Sequence, residues 1–161
     1  MKLYLAQHGN AVAKEENPER PLSDRGEQDV RSVATRLGDA GIEVTRVWHS
    51  GKTRAVQSAE ILAGRILSGR KIEAVKGISP NDPVAEFASD ADVWNEDTLV
   101  VGHLPFMSRL VSLLVVGDAG QELVRFSPGS VVCLERDKAD RWVIAWVLRA
   151  ELFCDAMSAG E

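Results

Sequence analysis

Short apolar runs rich in β-branched residues alternate with segments of helical periodicity along most of the chain. The apolar runs predict strands at Leu3 to Gln7, Val44 to His49, Ile72 to Val75 and Thr98 to Gly102. The periodic segments predict a helix that follows Ser23 and stops at Gly38 or Gly41, and helices over Lys52 to Leu67, Asp82 to Ala91 and Pro105 to Val116. This alternation indicates an α/β fold, with a largely parallel sheet and helices on both faces.

The rhythm changes near the end of the chain. Two apolar runs, Ser130 to Glu135 and Trp142 to Leu148, flank the polar turn Asp137 to Asp140, which is typical of a β-hairpin. The hairpin would give the sheet an antiparallel edge. Strand alternation also predicts that Trp142 and Trp146 pack on the same face.

The composition fits one globular domain over residues 1–161, without linkers or repeats. The net charge is -5 and the basic residues are scattered, which disfavours nucleic acid and anionic membranes as partners. No apolar stretch approaches about 18 residues, and the apolar start is too short for a signal peptide, so we expect a cytoplasmic protein. Cys133 and Cys154 are expected to be buried thiols rather than a disulfide.

All three histidines, His8, His49 and His103, fall at the ends of predicted strands. Ligands of such sheets bind beyond the carboxyl ends of the strands. A single histidine there is usually structural, but His8 and His103 would share one rim, which favours a site. Gly9 would let the backbone approach a ligand closely, and the helix after His103 would offer free amide donors to an anion.

Arg54 falls in the first turns of its predicted helix, where the helix dipole disfavours a cation. A bidentate contact with phosphate would account for it, whereas the alternative is a solvated arginine paired with Glu60 or another acid. Ser50 would either cap the same helix or contact the phosphate. The histidines lack the spacing of metal ligands on one element, so the sequence predicts no metal centre and no cofactor.

Four short motifs resemble those of the histidine phosphatase superfamily, and specifically of its short SixA-type phosphohistidine phosphatases. The motifs lie in order within residues 3–105 and are Gln7-His8-Gly9, Arg20-Pro21-Leu22-Ser23 with Gly26, Ser50 with Arg54-Ala55, and Gly102-His103-Leu104-Pro105. The resemblance implies a three-layer phosphoglycerate mutase-like fold with no large insertion over the active site. It also implies a nucleophilic His8, phosphoryl oxygens bound by Arg54 and His103, no metal, and a phosphate site that includes Gln7, Gly9 and Ser50.

Two positions depart from the pattern of that family. Gln7 stands where the family usually has arginine, which removes one positive charge beside His8. Arg20 or Lys52 would be able to replace that charge, although we expect both to be solvated. Asp82 is the positional candidate for a general acid, and the alternative is that it caps the next helix.

These residues predict a metal-independent phosphatase that forms a phosphohistidine intermediate on His8. Its expected substrate is phosphohistidine on a protein of the histidine phosphotransfer type, because a weak acid candidate favours a phosphoramidate over an ester. The alternatives are a phosphomonoesterase for small molecules and a catalytically weakened module that binds phosphate or phosphohistidine.

Overall fold

The computed structural model describes residues 1–69 and 71–153 of the chain. Strands and helices alternate up to a final pair of strands, which a short 3-10 helix follows. In chain order the elements are β1 (Lys2–Gln7), α1 (Asp24–Asp39), β2 (Arg46–His49), α2 (Thr53–Ile66), β3 (Ile72–Ala74), α3 (Ala85–Ala91), β4 (Thr98–Gly102), α4 (Phe106–Val116), β5 (Val131–Arg136), β6 (Trp142–Leu148) and the 3-10 helix Ala150–Leu152.

Within the described residues the six strands form one sheet in the order β3-β2-β4-β1-β5-β6. The pairs β3–β2, β2–β4 and β4–β1 are parallel, and β5 is antiparallel to both β1 and β6. This confirms the predicted α/β fold with a mostly parallel sheet and a C-terminal antiparallel hairpin. The central strand β4 is buried at every position, as its uninterrupted apolar sequence predicts.

Helices cover both faces of the sheet and create two apolar cores. On one face, Tyr4 and Ala6 of β1 pack with α1 and α2. On the other, Leu3 and Leu5 of the same strand pack with α3 and α4. Successive side chains of β1 therefore alternate between the two cores, which fixes the register of the strand and gives the three layers.

The start of α1 is held tightly against the loop that follows β1. Ser23 is the N-cap, and its Oγ accepts a hydrogen bond from the amide of Gly26 at 3.0 Å. A Cβ on Gly26 would lie 2.0 Å from the carbonyl oxygen of Asn10. Glycine at position 26 therefore allows the helix and the loop to approach this closely.

The helix predicted from Asp82 begins three residues later, at Ala85. The Asp82 amide donates to the Ser79 carbonyl at 3.1 Å, and Asp82 Oδ2 accepts from the Ser79 amide at 2.9 Å. Both groups thus close a turn over residues 79–82, and neither caps the helix. The prediction that Asp82 opens or caps α3 is wrong for this reason.

The two tryptophans of β6 pack on opposite faces of the sheet, so the prediction of a shared face is wrong. Trp142 lies in the core on the α3 and α4 side, and Trp146 packs against the other core. The pairing of β5 with β6 shifts by one residue, because Cys133 faces Trp146 while its neighbour Leu134 faces Ile144. This β-bulge reverses the alternation of the strand.

Cys133 is a buried free thiol, as predicted, and Cys154 lies outside the described residues. Burial raises the pKa of the Cys133 thiol to about 11, so the thiol stays protonated at neutral pH. In the part of the chain that the structure describes, no helix has the length and apolar character that a membrane span requires.

Two helical glycines test the close contact at α1. Gly26→Ala should destabilise the protein by at least about 2 kcal/mol, because its new methyl group meets backbone rather than a movable side chain. Gly64→Ala in α2 is the matched control: nothing lies within 4 Å of the added Cβ, and alanine should stabilise the helix by about 0.5–1 kcal/mol. Urea unfolding of both variants measures the difference, and equal effects would contradict the packing described above.

Candidate active site

The first and fourth strands bring His8 and His103 together at one rim of the sheet. Gln7 of β1 pairs with Gly102 of β4. His8 directly follows Gln7, and His103 directly follows Gly102. The His8 amide donates to the Gly102 carbonyl at 3.1 Å. The centroids of the two imidazole rings lie 5.0 Å apart. Both side chains therefore lie at the carboxyl ends of parallel strands, where ligands bind in this kind of sheet.

The hydrogen bonds of His8 define its tautomer. Nδ1 lies 2.7 Å from the carbonyl oxygen of Gly9, which can only accept, so Nδ1 carries the ring proton. In the neutral ring Nε2 then carries a lone pair that can accept a hydrogen bond. Arg54 Nε donates to that nitrogen at 3.3 Å. The nitrogen available for reaction thus lies beside a guanidinium group.

His8 is uncharged at neutral pH in the structure. Burial lowers its pKa to about 4, and the positive charges of Arg54 and Arg20 lower the pKa as well, whereas the hydrogen bond to Gly9 opposes them. A neutral imidazole is a nucleophile, and a protonated one is not. The site therefore keeps His8 in its reactive form over the physiological pH range.

His103 is almost fully buried, with 1% of its surface exposed. Its Nε2 lies 2.6 Å from the Ser50 hydroxyl, which also accepts a hydrogen bond from the Lys52 amide at 3.3 Å. Burial, together with the charges of His8, Arg54, Lys52 and Arg20, lowers the pKa of His103 to about 3. Ser50 therefore orients this second histidine; the N-cap of α2 is Lys52, without a side-chain capping bond.

Three cations surround the histidines, although the whole chain carries a net charge of -5. Arg54 contacts His8 directly, and Lys52 is exposed but close enough to affect His103. Arg20 lowers the pKa values of His8, His103 and Arg54 by its charge. The local excess of positive charge suits a phosphate dianion.

Arg20 was expected to be solvated, but it is half-buried and belongs to the site. It has a positive φ of 49°, and its Nε donates to the Val12 carbonyl at 3.2 Å. From this position the charge of Arg20 acts on both histidines. The only signal in the sequence was the Arg20-Pro21-Leu22-Ser23 motif, because spacing does not reveal how a loop folds back.

Gly9 packs tightly against α1. Its Cβ would lie 2.6 Å from Val30 Cγ2 and 3.0 Å from the Gly26 carbonyl oxygen. Its amide donates to Ser58 Oγ at 3.0 Å, so that donor is already used within the protein. The glycine is therefore required for packing against α1, and the close approach of its backbone to a ligand stays a prediction.

Two further candidates lie outside this group of contacts. Asp82 is held in the turn at residues 79–82, and the charged groups that shift the pKa of His8 are Arg54 and Arg20. His49 is buried, and its Nδ1 accepts from the Gly51 amide at 3.0 Å. The structure thus does not bring Asp82 into contact with the two rim histidines, and His49 closes a turn.

Some buried polar atoms of the site remain without partners. Among residues 1–69 and 71–153, neither Nδ1 of His103 nor Oε1 of Gln7 has a hydrogen-bond partner. Unsatisfied buried polar atoms cost free energy and are few in native structures; the third one here, Nη2 of Arg46, lies outside the site. Gln7 lies at the position of the missing arginine, at the end of β1 beside His8.

The geometry agrees with the comparison to known families. The family model described as histidine phosphatase superfamily (branch 1) matches residues 3–78. An uncharacterized protein of Picosynechococcus sp. is 30% identical over 130 residues, which make up 76% of this chain and 78% of that relative. This chain belongs to the histidine phosphatase superfamily.

Two solved structures of phosphatases have the same fold over almost the whole of this chain. The protein histidine phosphatase SixA complexed with tungstate has a TM-score of 0.83 and 22% identity, over 94% of this chain and 99% of that one. A phosphoserine phosphatase of Entamoeba histolytica in complex with 3-phosphoglyceric acid has a TM-score of 0.66 and 14% identity, over 91% and 95% of the two chains. The three-layer phosphoglycerate mutase-like fold is therefore confirmed.

Substitutions of Arg54, which contacts His8, and of the exposed Lys52 should affect phosphate binding differently. Arg54→Ala should weaken the binding of vanadate by about 10- to 100-fold, because it removes a charge-assisted hydrogen bond of about 1.5–3 kcal/mol. Lys52→Ala should weaken binding by less than about threefold, because the ammonium group is exposed and screened. Titration with vanadate measures both, and equal losses would contradict the assignment of Arg54.

The two neutral histidines make the stability of the protein sensitive to acid. Below about pH 6.5 the unfolded chain binds protons at both histidines, but the folded protein does so only near pH 4 at His8 and pH 3 at His103. The free energy of unfolding should therefore fall as the pH decreases from 6.5 toward 4.

His8→Ala isolates one of the two contributions. Between pH 6.5 and pH 5 the wild-type protein should lose roughly 1.5 kcal/mol more stability than the His8→Ala variant. Urea unfolding at several pH values measures this difference. Parallel pH profiles of the two proteins would show that His8 has an ordinary pKa.

Proposed function

We propose that this member of the histidine phosphatase superfamily is a phosphatase that transfers a phosphoryl group to His8, and that its substrate is phosphohistidine on a protein. The observation that carries the proposal is the state of the His8 ring. Its Nδ1 donates to the Gly9 carbonyl, so that Nε2 is unprotonated and accepts a hydrogen bond from Arg54 Nε. A phosphate-binding module would have no need of a nucleophile held in this way.

In the first step, Nε2 of His8 attacks the phosphorus atom. A bond forms between phosphorus and Nε2, and the bond between phosphorus and the leaving nitrogen breaks. The electron pair of the broken bond stays on that nitrogen. Because the other nitrogen of the substrate ring is protonated, the group leaves as neutral imidazole.

In the second step, water attacks the phosphorus of phosphorylated His8. The bond from phosphorus to Nε2 breaks, its electrons return to the ring, and the proton lost by water remains on the released inorganic phosphate. Nδ1 keeps its proton and its bond to Gly9 throughout. His8 thus returns to the tautomer with which the cycle begins.

The cations stabilise the group that is transferred. Arg54 and Arg20 supply positive charge beside His8 in both steps, which lowers the energy of the negatively charged transition states. A bound dianion raises the pKa of His103, and the protonated ring then donates to a phosphoryl oxygen. Phosphate binding is therefore coupled to the uptake of a proton.

The charges around the site support a nitrogen leaving group. The charged groups that shift the pKa of His8 are the cations Arg54 and Arg20, and Asp82 is engaged in its own turn. An alkoxide needs a proton donor as it leaves, whereas the imidazole of phosphohistidine does not. Phosphoramidates should thus react faster than alkyl phosphates.

The test compares three substrates without added metal: phosphorylated imidazole, an aryl phosphate and an alkyl phosphate. The wild-type protein should hydrolyse the first two and act at least about 100-fold more slowly on the third, since general acid catalysis contributes about 10²–10⁴-fold where it is needed. His8→Ala should abolish turnover of all three. Quenching without acid should trap phosphate on His8 of the wild-type protein.

His49→Ala is the matched control, because it removes a second buried strand-end histidine that lies outside the described contacts of the site. It should keep its activity after correction for the folded fraction. Residual turnover of more than a few per cent in His8→Ala would contradict the covalent mechanism. A preference for the alkyl phosphate would instead indicate a phosphomonoesterase for small molecules.

A further inference from the structure

Ser58 connects the two elements that carry His8 and Arg54. It lies on α2 one turn after Arg54, and 1% of its surface is exposed. Its hydroxyl donates to the Arg54 carbonyl oxygen at 2.8 Å, and its oxygen accepts from the Gly9 amide at 3.0 Å. One buried side chain thus joins α2 to the loop that follows β1.

The loop depends on this connection because its second residue must be glycine. A Cβ on Gly9 would meet Val30 and the Gly26 backbone, so no larger residue fits. Glycine has the greatest conformational freedom of all residues, so its own geometry does little to hold its peptide groups in place. The amide of Gly9 is instead held by Ser58, while its carbonyl oxygen binds Nδ1 of His8 at 2.7 Å.

The same serine also links the backbone of Arg54 to the loop that carries His8. Arg54 Nε reaches Nε2 of His8 at 3.3 Å, and Ser58 is bonded both to the Arg54 backbone and to the residue that holds the His8 ring. We propose that Ser58 is a positioning residue, which fixes the Nδ1–H tautomer and the orientation of His8 through Gly9. The proposal rests on the proposed role of His8 as the nucleophile.

Ser58→Ala tests this role, and Ser112→Ala is its matched control. Ser112 is also a fully buried helical serine, and its hydroxyl donates to the Ser108 carbonyl at 3.1 Å and also bonds the Gln121 carbonyl. Both substitutions remove a buried hydroxyl from a helix. The contacts of Ser112 involve α4 and the segment after it, so only Ser58 is joined to the His8 loop.

Two measurements distinguish positioning from stability. The ¹⁵N spectrum of the His8 ring should show the Nδ1–H tautomer alone in the wild-type protein and in Ser112→Ala, and a mixture of both tautomers in Ser58→Ala. Turnover of phosphorylated imidazole by folded Ser58→Ala should fall on the order of 10- to 100-fold, because small errors in position of a reacting atom are costly. Ser112→Ala should keep wild-type turnover per folded molecule.

The Ser58→Thr and Ser58→Val variants form a second pair, which have the same shape and differ only in the hydroxyl group. The threonine should retain the single tautomer and the valine should lose it, even if Ser58→Ala fails to fold. Wild-type turnover together with a single Nδ1–H tautomer in Ser58→Ala, or identical spectra for threonine and valine, would overturn the proposal. If the wild-type protein hydrolyses none of the phosphorylated substrates, the function proposed above fails, while the spectra still decide the role of Ser58.

Discussion

The hydrogen bond from Nδ1 of His8 to the Gly9 carbonyl decides which ring nitrogen is free to react, and much of the fold serves to hold it. On one side, α1 packs against the loop through Gly26, which tolerates no side chain beyond hydrogen. On another, the Gly129 amide before β5 donates to the carbonyls of both Gln7 and His8, at 3.2 and 3.1 Å. The loop is therefore fixed by α1 and by the segment before β5 together, which is how a short segment keeps one geometry.

Burial and charge act in the same direction at this site. Burial removes water from His8 and His103, and the neighbouring guanidinium groups add positive potential, so both lower the pKa of each ring. The consequence is that both imidazole rings are uncharged and do not neutralise the positive charges of the neighbouring arginines. A phosphate dianion would supply the missing negative charge, so this place suits an anion although the protein as a whole is acidic.

The hydrophobic pattern alone gives the strand ends and therefore the positions of His8 and His103. Long-range packing decides the rest, and a linear pattern does not contain it. Arg20 reaches the site because its backbone adopts a left-handed conformation, and Ser58 resembles any small residue on the buried face of a helix. The reversed face of Trp146 depends on one shifted pair between β5 and β6, which strict alternation cannot predict.

The bulge in β6 also affects how this sheet meets other molecules. β6 is an edge strand, and such strands offer unpaired backbone groups to any extended chain in solution. The exposed Val143 and Val147 would add apolar contacts to such a pairing. A bulge bends its strand and increases the local twist, so an approaching strand can match the ladder on one side of the shifted pair but not across it. The irregularity that lets one strand complete two cores thus also works against aggregation by sheet extension.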